Sequence, residues 1–164
     1  MPSPLPAPAP PTCSRARNPP PVIVEFDFAT PLYAQAIRLR HEVLRVPLGR
    51  TIADDDIAAE WAQRHFGALL GGRLLGVASL APVDGGLKMR QVAVDDAVRG
   101  RGVGRDLVRA CERAARLGGA DALYCHARLT ARAFYERCGW MVRGEQFTEV
   151  GLPHVRAYAP LNAE

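Results

Sequence analysis

The chain of 164 residues is 48% hydrophobic and 23% charged, with a formal net charge of +4. That balance suits one globular domain. No stretch is apolar for long enough to cross a bilayer, and the start lacks the continuous apolar run of a secretory leader. The four cysteines, Cys13, Cys111, Cys125 and Cys138, form no CxxC pair and follow no metal or disulfide spacing. They are expected to be reduced thiols in a cytoplasmic protein that binds no metal.

Nine of the 14 prolines fall within the first 21 residues. Met1–Pro21 is therefore expected to be a disordered, partly polyproline tail, and residues 22–164 the folded domain. Val22–Phe28 alternates apolar and polar residues and reads as a strand. Thr30 followed by Pro31 is a helix start, a capping hydroxyl before a proline at the first helical position. Leu32, Ala36, Leu39 and Val43 then recur at helical spacing until Pro47 and Gly49. Asp54–Asp56 is expected to cap a second helix over Ile57–Arg64. His65–Leu70, Gly71-Gly72 and Leu74–Leu80 read as strand, tight turn and strand.

Asp84-Gly85-Gly86 turns the chain into a further strand, Leu87–Val94. A helix is expected from about Gly102 to Leu117, ended by Gly118-Gly119. Ala122–His126 reads as a short buried strand and Thr130–Cys138 as a helix stopped by Gly139. Met141–Val142 and Val155–Ala159 are the last strand candidates. The order β-α-α-β-β-β-α-β-α-β-β predicts an α/β domain whose mixed sheet is antiparallel early and partly parallel in the middle.

Two details of the central segment carry chemistry. Leu87 and Met89 share one parity of the strand, whereas Val92 and Val94 share the other. A β-bulge near Arg90-Gln91 would produce this slip and free a backbone N–H to polarise a carbonyl. A short strand buried on both faces would show the same pattern by chance. Next comes Arg99-Gly100-Arg101-Gly102-Val103-Gly104-Arg105, between strand and helix. Glycines here let successive N–H groups form an anion nest at a helix start, and the arginines add charge. A plain glycine turn with solvated arginines is the competing reading. A P-loop is excluded because no lysine precedes a serine or threonine anywhere in the chain. A dinucleotide fingerprint is excluded because Leu107 stands where its third glycine is required.

The run from Gln91 to Arg105 resembles the acetyl-CoA motif of the GNAT superfamily of N-acetyltransferases, [Q/R]-x-x-G-x-[G/A], here Arg99-x-x-Gly102-x-Gly104. Ala133-Phe134-Tyr135-Glu136-Arg137-Cys138-Gly139-Trp140 resembles the family's A-x-FYE-x-x-GF, with tryptophan in the last place. The resemblance spans about Val22 to Pro160. It implies a partly open GNAT-like sheet flanked by helices, acetyl-CoA as co-substrate and an amine as acceptor. It further implies that the backbone of Val92, Ala93 and Val94 meets the acetyl and pantetheine parts. Arg99 and Gly100–Arg105 would then hold the pyrophosphate, and Tyr135 would protonate the departing thiolate. Phe147–His154 resembles the F-x-E-x-G-[IL]-P-H segment of the ElaA-like branch, although that branch's F-V-x-E-Q is absent.

Acetyl transfer needs a neutral amine, hence a proton acceptor. Glu149 and His154 are the foremost candidates, Glu149 alternatively a surface strand residue and His154 alternatively a cap of the last strand. His126 is a weaker one, and the charges of Lys88 and Arg90 make them poor bases. Asp54-Asp55-Asp56 could attract a cationic amine but reads better as a solvated helix cap. The Arg105, Arg109, Arg113 and Arg116 stripe lacks interleaved aromatics, which argues against nucleic acid as a partner. The sequence is compatible with a homodimer. A non-catalytic acyl-CoA sensor or interaction module is the alternative function.

Overall fold

The computed structural model describes residues 19–161. Residues 1–18 of the expected proline-rich tail, and Cys13 with them, lie outside the described residues.

Thr30 caps the first helix as its sequence predicts. Its hydroxyl accepts a hydrogen bond from the Tyr33 amide at 3.3 Å, and Pro31 sits in the first turn. Strand β1 (Val22–Phe26) leads into this helix, α1 (Pro31–Arg40), which runs on through a π turn over His41–Arg45 and a 3-10 turn over Val46–Leu48. Gly49, at φ +65°, ends it in the left-handed region.

The second helix expected after Asp54–Asp56 does not form as an α-helix. Short 3-10 turns at Ile52–Asp54 and Ala58–Ala62 take its place. Each aspartate is engaged locally or by an arginine. Asp54 accepts from the Thr51 amide at 3.3 Å, Asp56 from the Ala59 amide at 3.3 Å, and Asp55 from Arg40 and Arg45. Side chains that bond nearby backbone compete with a continuing helix.

Strands β2 (Arg64–Leu70), β3 (Arg73–Val83), β4 (Gly86–Val94), β5 (Leu123–Arg128), β6 (Met141–Glu149) and β7 (Leu152–Ala159) complete a seven-stranded sheet. Its order is β1-β2-β3-β4-β5-β7-β6. Only β4 and β5 pair in parallel, so the expected mixed sheet with a parallel centre is found. Helices α2 (Val103–Leu117) and α3 (Arg132–Arg137) complete the element order.

Two apolar clusters divide the sheet's faces. Tyr33, Ala36 and Leu39 of α1 pack with Phe26, Leu74, Val77 and Ala93 on one face. Val103, Leu107, Val108 and Cys111 of α2 and Tyr135 of α3 pack with Leu80, Met89, Leu123 and Cys125 on the other. Against β5–β7 the α1 face is left to side chains of the strands themselves, because the α1 cluster draws its strand residues from β1 to β4.

His65 is buried under α1, edge-on to Tyr33 at 5.0 Å, and its Nε2–H donates to the Glu60 carbonyl at 3.2 Å. Burial pushes its pKa down, and the Arg40 charge adds to that, against the opposing pull of Glu60. The unfolded chain therefore binds the proton more readily. His65 contributes stability that is complete above its unfolded pKa of about 6.5 and lost as pH falls below it. The melting temperature should fall between about pH 7 and about pH 5, with a shallower slope in His65→Gln. Equal slopes in thermal melts of the two proteins would refute the assignment.

Candidate functional site

The parity slip of β4 is a bulge. Val77 faces Ala93 but Ser79 faces Arg90, so three steps along β4 answer two along β3. Gln91 occupies the irregular stretch at φ +55°. The extra residue keeps Leu87, Met89, Val92 and Val94 all on the α2 side, although their parity changes. Beyond the bulge β4 also leaves β5. The two strands pair only from Leu87↔Leu123 to Met89↔Cys125. Backbone groups of later β4 residues that point toward β5 therefore have no strand partner.

A cleft of about 1070 Å³ opens at this splay. Val92, Ala93 and Val94 line one wall, and Arg99, Gly100, Arg101, Gly102, Val103, Gly104 and Arg105 line its end. Tyr135, Glu149 and His154 line it as well, so every site residue expected from the sequence borders one space.

The end wall is built for an anion. Gly100 at φ +74° and Gly102 at φ +85° turn the chain into α2, and no side chain caps that helix. The first-turn amides of α2 therefore have no side-chain acceptor, and the helix dipole adds positive potential there. Gly104 lets the backbone lie on Phe134, since a Cβ at residue 104 would stand 3.2 Å from the ring. Arg101 and Arg105 are exposed beside this turn. Arg99 is held by Asp96 at 2.7 Å and the Val94 carbonyl at 3.2 Å. An uncapped helix start of this kind suits an anionic group.

Tyr135 is 6% exposed, packed at 5.0 Å from the Phe134 ring and 5.4 Å from that of Trp140. Burial, reinforced by the adjoining Cys125, pushes its phenol well above the ordinary value, so the proton stays on the oxygen. Cys125 itself is raised to about 12 by burial. Cys111 lies buried on α2, Cys138 ends α3, and no metal-binding group occurs among the described residues.

Glu149 ends β6. Its Oε2 lies 3.0 Å from Nδ1 of His126, and the same nitrogen lies 3.0 Å from Nζ of Lys88. Nδ1 can donate to Glu149 or accept from Lys88, but not both at once, so the position of one proton decides which bond forms. Burial lowers the pKa of His126, with Lys88 adding to it, and burial lowers that of Lys88 too. No sequence spacing announces this meeting of three separate strands. His154, buried on β7, donates Nδ1–H to the Leu152 carbonyl at 2.9 Å, which leaves Nε2 with a lone pair when the ring is neutral.

Asp54, Asp55 and Asp56 do not border the cleft. Within the arginine stripe only Arg105 borders it, while Arg116 bonds the carbonyls of Leu161 and Pro160.

Residues 33–140 match the Acetyltransferase (GNAT) family. The chain belongs to the GNAT family. The Bacillus subtilis protein named as the uncharacterized N-acetyltransferase YjcF is 35% identical to this GNAT chain over 74 residues, 44% of this chain and 53% of the relative. The chain thus spans about half the length of that curated relative. Escherichia coli ElaA superposes with a TM-score of 0.72 at 20% identity, over 84% of this chain and 98% of its own. ElaA, whose branch the Phe147–His154 segment resembles, is thus a fold neighbour. An aminoglycoside 6′-N-acetyltransferase complexed with coenzyme A superposes with a TM-score of 0.70 at 16% identity, over 87% and 98%. Both structures share the GNAT fold with this chain.

Proposed function

We propose that the protein is an acetyl-CoA-dependent N-acetyltransferase that moves the acetyl group directly to a primary amine within a ternary complex. The observation that carries this reading is the uncapped, left-handed glycine entry to α2 opening onto the β4–β5 splay. A fold neighbour complexed with coenzyme A supports it.

Acetyl-CoA supplies an acetyl carbon activated as a thioester. Arg99, Arg101, Arg105 and the amides of Gly100–Gly104 hold the pyrophosphate. The backbone of Val92, Ala93 and Val94, freed from β5, binds the thioester end and polarises its carbonyl. Glu149, with His126 and Lys88 behind it, takes a proton from the acceptor ammonium, directly or through water. His154 is the second proton acceptor of the cleft. As the C–N bond forms and the C–S bond breaks, the nitrogen sheds its second proton to His154 or water, and Tyr135 gives its own proton to the sulfur and regains one from solvent. Its raised pKa keeps it a hydrogen-bond donor until negative charge develops on the sulfur.

Purified protein with acetyl-CoA and a broad amine panel should release free CoA, and calorimetry should detect acetyl-CoA binding. Absence of both would refute the reading, and binding without turnover would leave an acyl-CoA-binding module. Tyr135→Phe should slow turnover by roughly 10²-fold with acetyl-CoA affinity almost unchanged. An unaltered rate would remove Tyr135 from the acid role.

A further inference from the structure

The acceptor side of the cleft is cationic out of proportion to the anions it holds. Beyond the region covered by α1, one face of the sheet carries Lys88 and Arg90 from β4, His126 and Arg128 from β5, and Arg156 from β7. These residues share a face because Lys88 lies beside Tyr124 and His126 beside Arg156 in the register, and alternate residues face the same way. Glu149 is the one carboxylate that borders the cleft among the described residues.

Arg128 is the cation best placed for a small ligand. It stands at the last position of β5, beyond the end of the β4 pairing and opposite His154 of β7, and it is half-buried. One Nη2–H donates to the Leu44 carbonyl at 3.1 Å across the mouth of the cleft. No carboxylate pairs with it among the described residues. Its neighbour Arg45, by contrast, is held by Asp55 at 2.7 Å. Burial, with the nearby Arg45 charge adding, disfavours the charged form of Arg128. A half-buried guanidinium beside a second one, with donors to spare, is completed by an anion.

We infer that the acceptor is a primary amine that also carries a carboxylate, which Arg128 binds while Glu149 receives the ammonium proton. This rests on the acetyltransferase reading above and adds the acceptor class to it. A polycationic amine meets the wrong sign of charge on this face. The same guanidinium geometry recognises carboxylate and phosphate, so the test includes both.

The full-length protein is assayed by CoA release with acetyl-CoA and four matched sets: α-amino acids, their methyl esters, aminoalkyl phosphates and α,ω-diamines. The expected result is kcat/KM for free acids roughly tenfold or more above their esters and the diamines. In Arg128→Gln that acid-over-ester ratio should collapse toward unity, with Arg128→Lys restoring part of it. Calorimetry of the CoA-bound protein with the best amino acid supplies a binding readout that needs no turnover. Preference for esters, diamines or phosphates overturns the inference, as does an acid-over-ester ratio that survives Arg128→Gln. Absence of both binding and turnover for every free acid overturns it too. Turnover of esters or diamines alone leaves the acetyltransferase reading standing, whereas failure to bind acetyl-CoA removes both.

Discussion

Gly102→Val should weaken acetyl-CoA binding about tenfold or more while leaving the fold intact. Gly102 precedes α2 at φ +85° and ψ −2°. A left-handed backbone costs an L residue about 1–2 kcal/mol, and a β-branched one suffers most. Space is not the obstacle, because a Cβ there would meet only the mobile end of Arg105 at 3.3 Å. The chain therefore escapes strain by rotating the Gly102 backbone, and the amides of Val103 and Gly104 rotate with it. Those amides are the ones left without a side-chain cap, so the change falls on the anion-binding groups. Gly71→Val is the control, since Gly71 has φ +57° in the β2–β3 turn away from the cleft. It imposes similar strain and should leave acetyl-CoA affinity unchanged. Calorimetry on both variants, with circular dichroism to check folding, decides the matter. Equal affinity in Gly102→Val and wild type would refute the anion nest.

The residues that could be read in advance are those whose constraint is local. Thr30 and Pro31 announce a helix start because capping and a fixed φ need no partner from afar. The parity of Leu87, Met89, Val92 and Val94 announces the Gln91 bulge because both halves of β4 must face α2. The glycines at 100 and 102 announce left-handed turns because a residue without a Cβ enters that region freely, and Gly139 announces the end of α3. What stayed hidden depends on tertiary partners. Asp54–Asp56 has the composition of a helix cap, yet Arg40 and Arg45 draw Asp55 aside and the segment breaks into 3-10 turns. Strands β6 and β7 exceed their sequence patterns because β6 is an edge strand with mostly exposed residues, and a bulge shifts its register between Arg143 and Phe147. Its hairpin turn places Val150 at φ +49°, an unusual residue for that conformation, so the turn too was silent. The meeting of Lys88, His126 and Glu149 joins three strands that only the finished sheet aligns.

Arg40 and Glu60 are another pair the sequence does not announce, and Glu60→Ala should destabilise the protein by about 3–5 kcal/mol. Both residues are 2% exposed. The guanidinium meets the carboxylate with two bonds of 2.7 Å, and the Tyr33 hydroxyl donates to Glu60 at 2.8 Å. Burial alone would raise the Glu60 pKa. The hydrogen bonds and charge of Arg40 outweigh it and hold the carboxyl below its ordinary value. The pair therefore contributes stability above the unfolded carboxyl pKa, and loses it as pH falls through the lower folded value. Glu60→Ala leaves Arg40 buried with Asp55 alone, which it shares with Arg45. It also strands the Tyr33 hydroxyl. The loss is large against the total stability of about 5–15 kcal/mol usual for a domain. Urea unfolding should show it as a lower midpoint. The double variant Arg40→Met with Glu60→Leu removes both charges and fills the space with apolar side chains. It should be more stable than Glu60→Ala, because desolvating a matched ion pair returns little net energy. If the double variant proves less stable than the single one, the pair contributes more than its desolvation costs. The Arg45 guanidinium, which shares Asp55 with Arg40, also donates to the Gln91 side chain at 3.4 Å, and so ties this network to the β4 bulge.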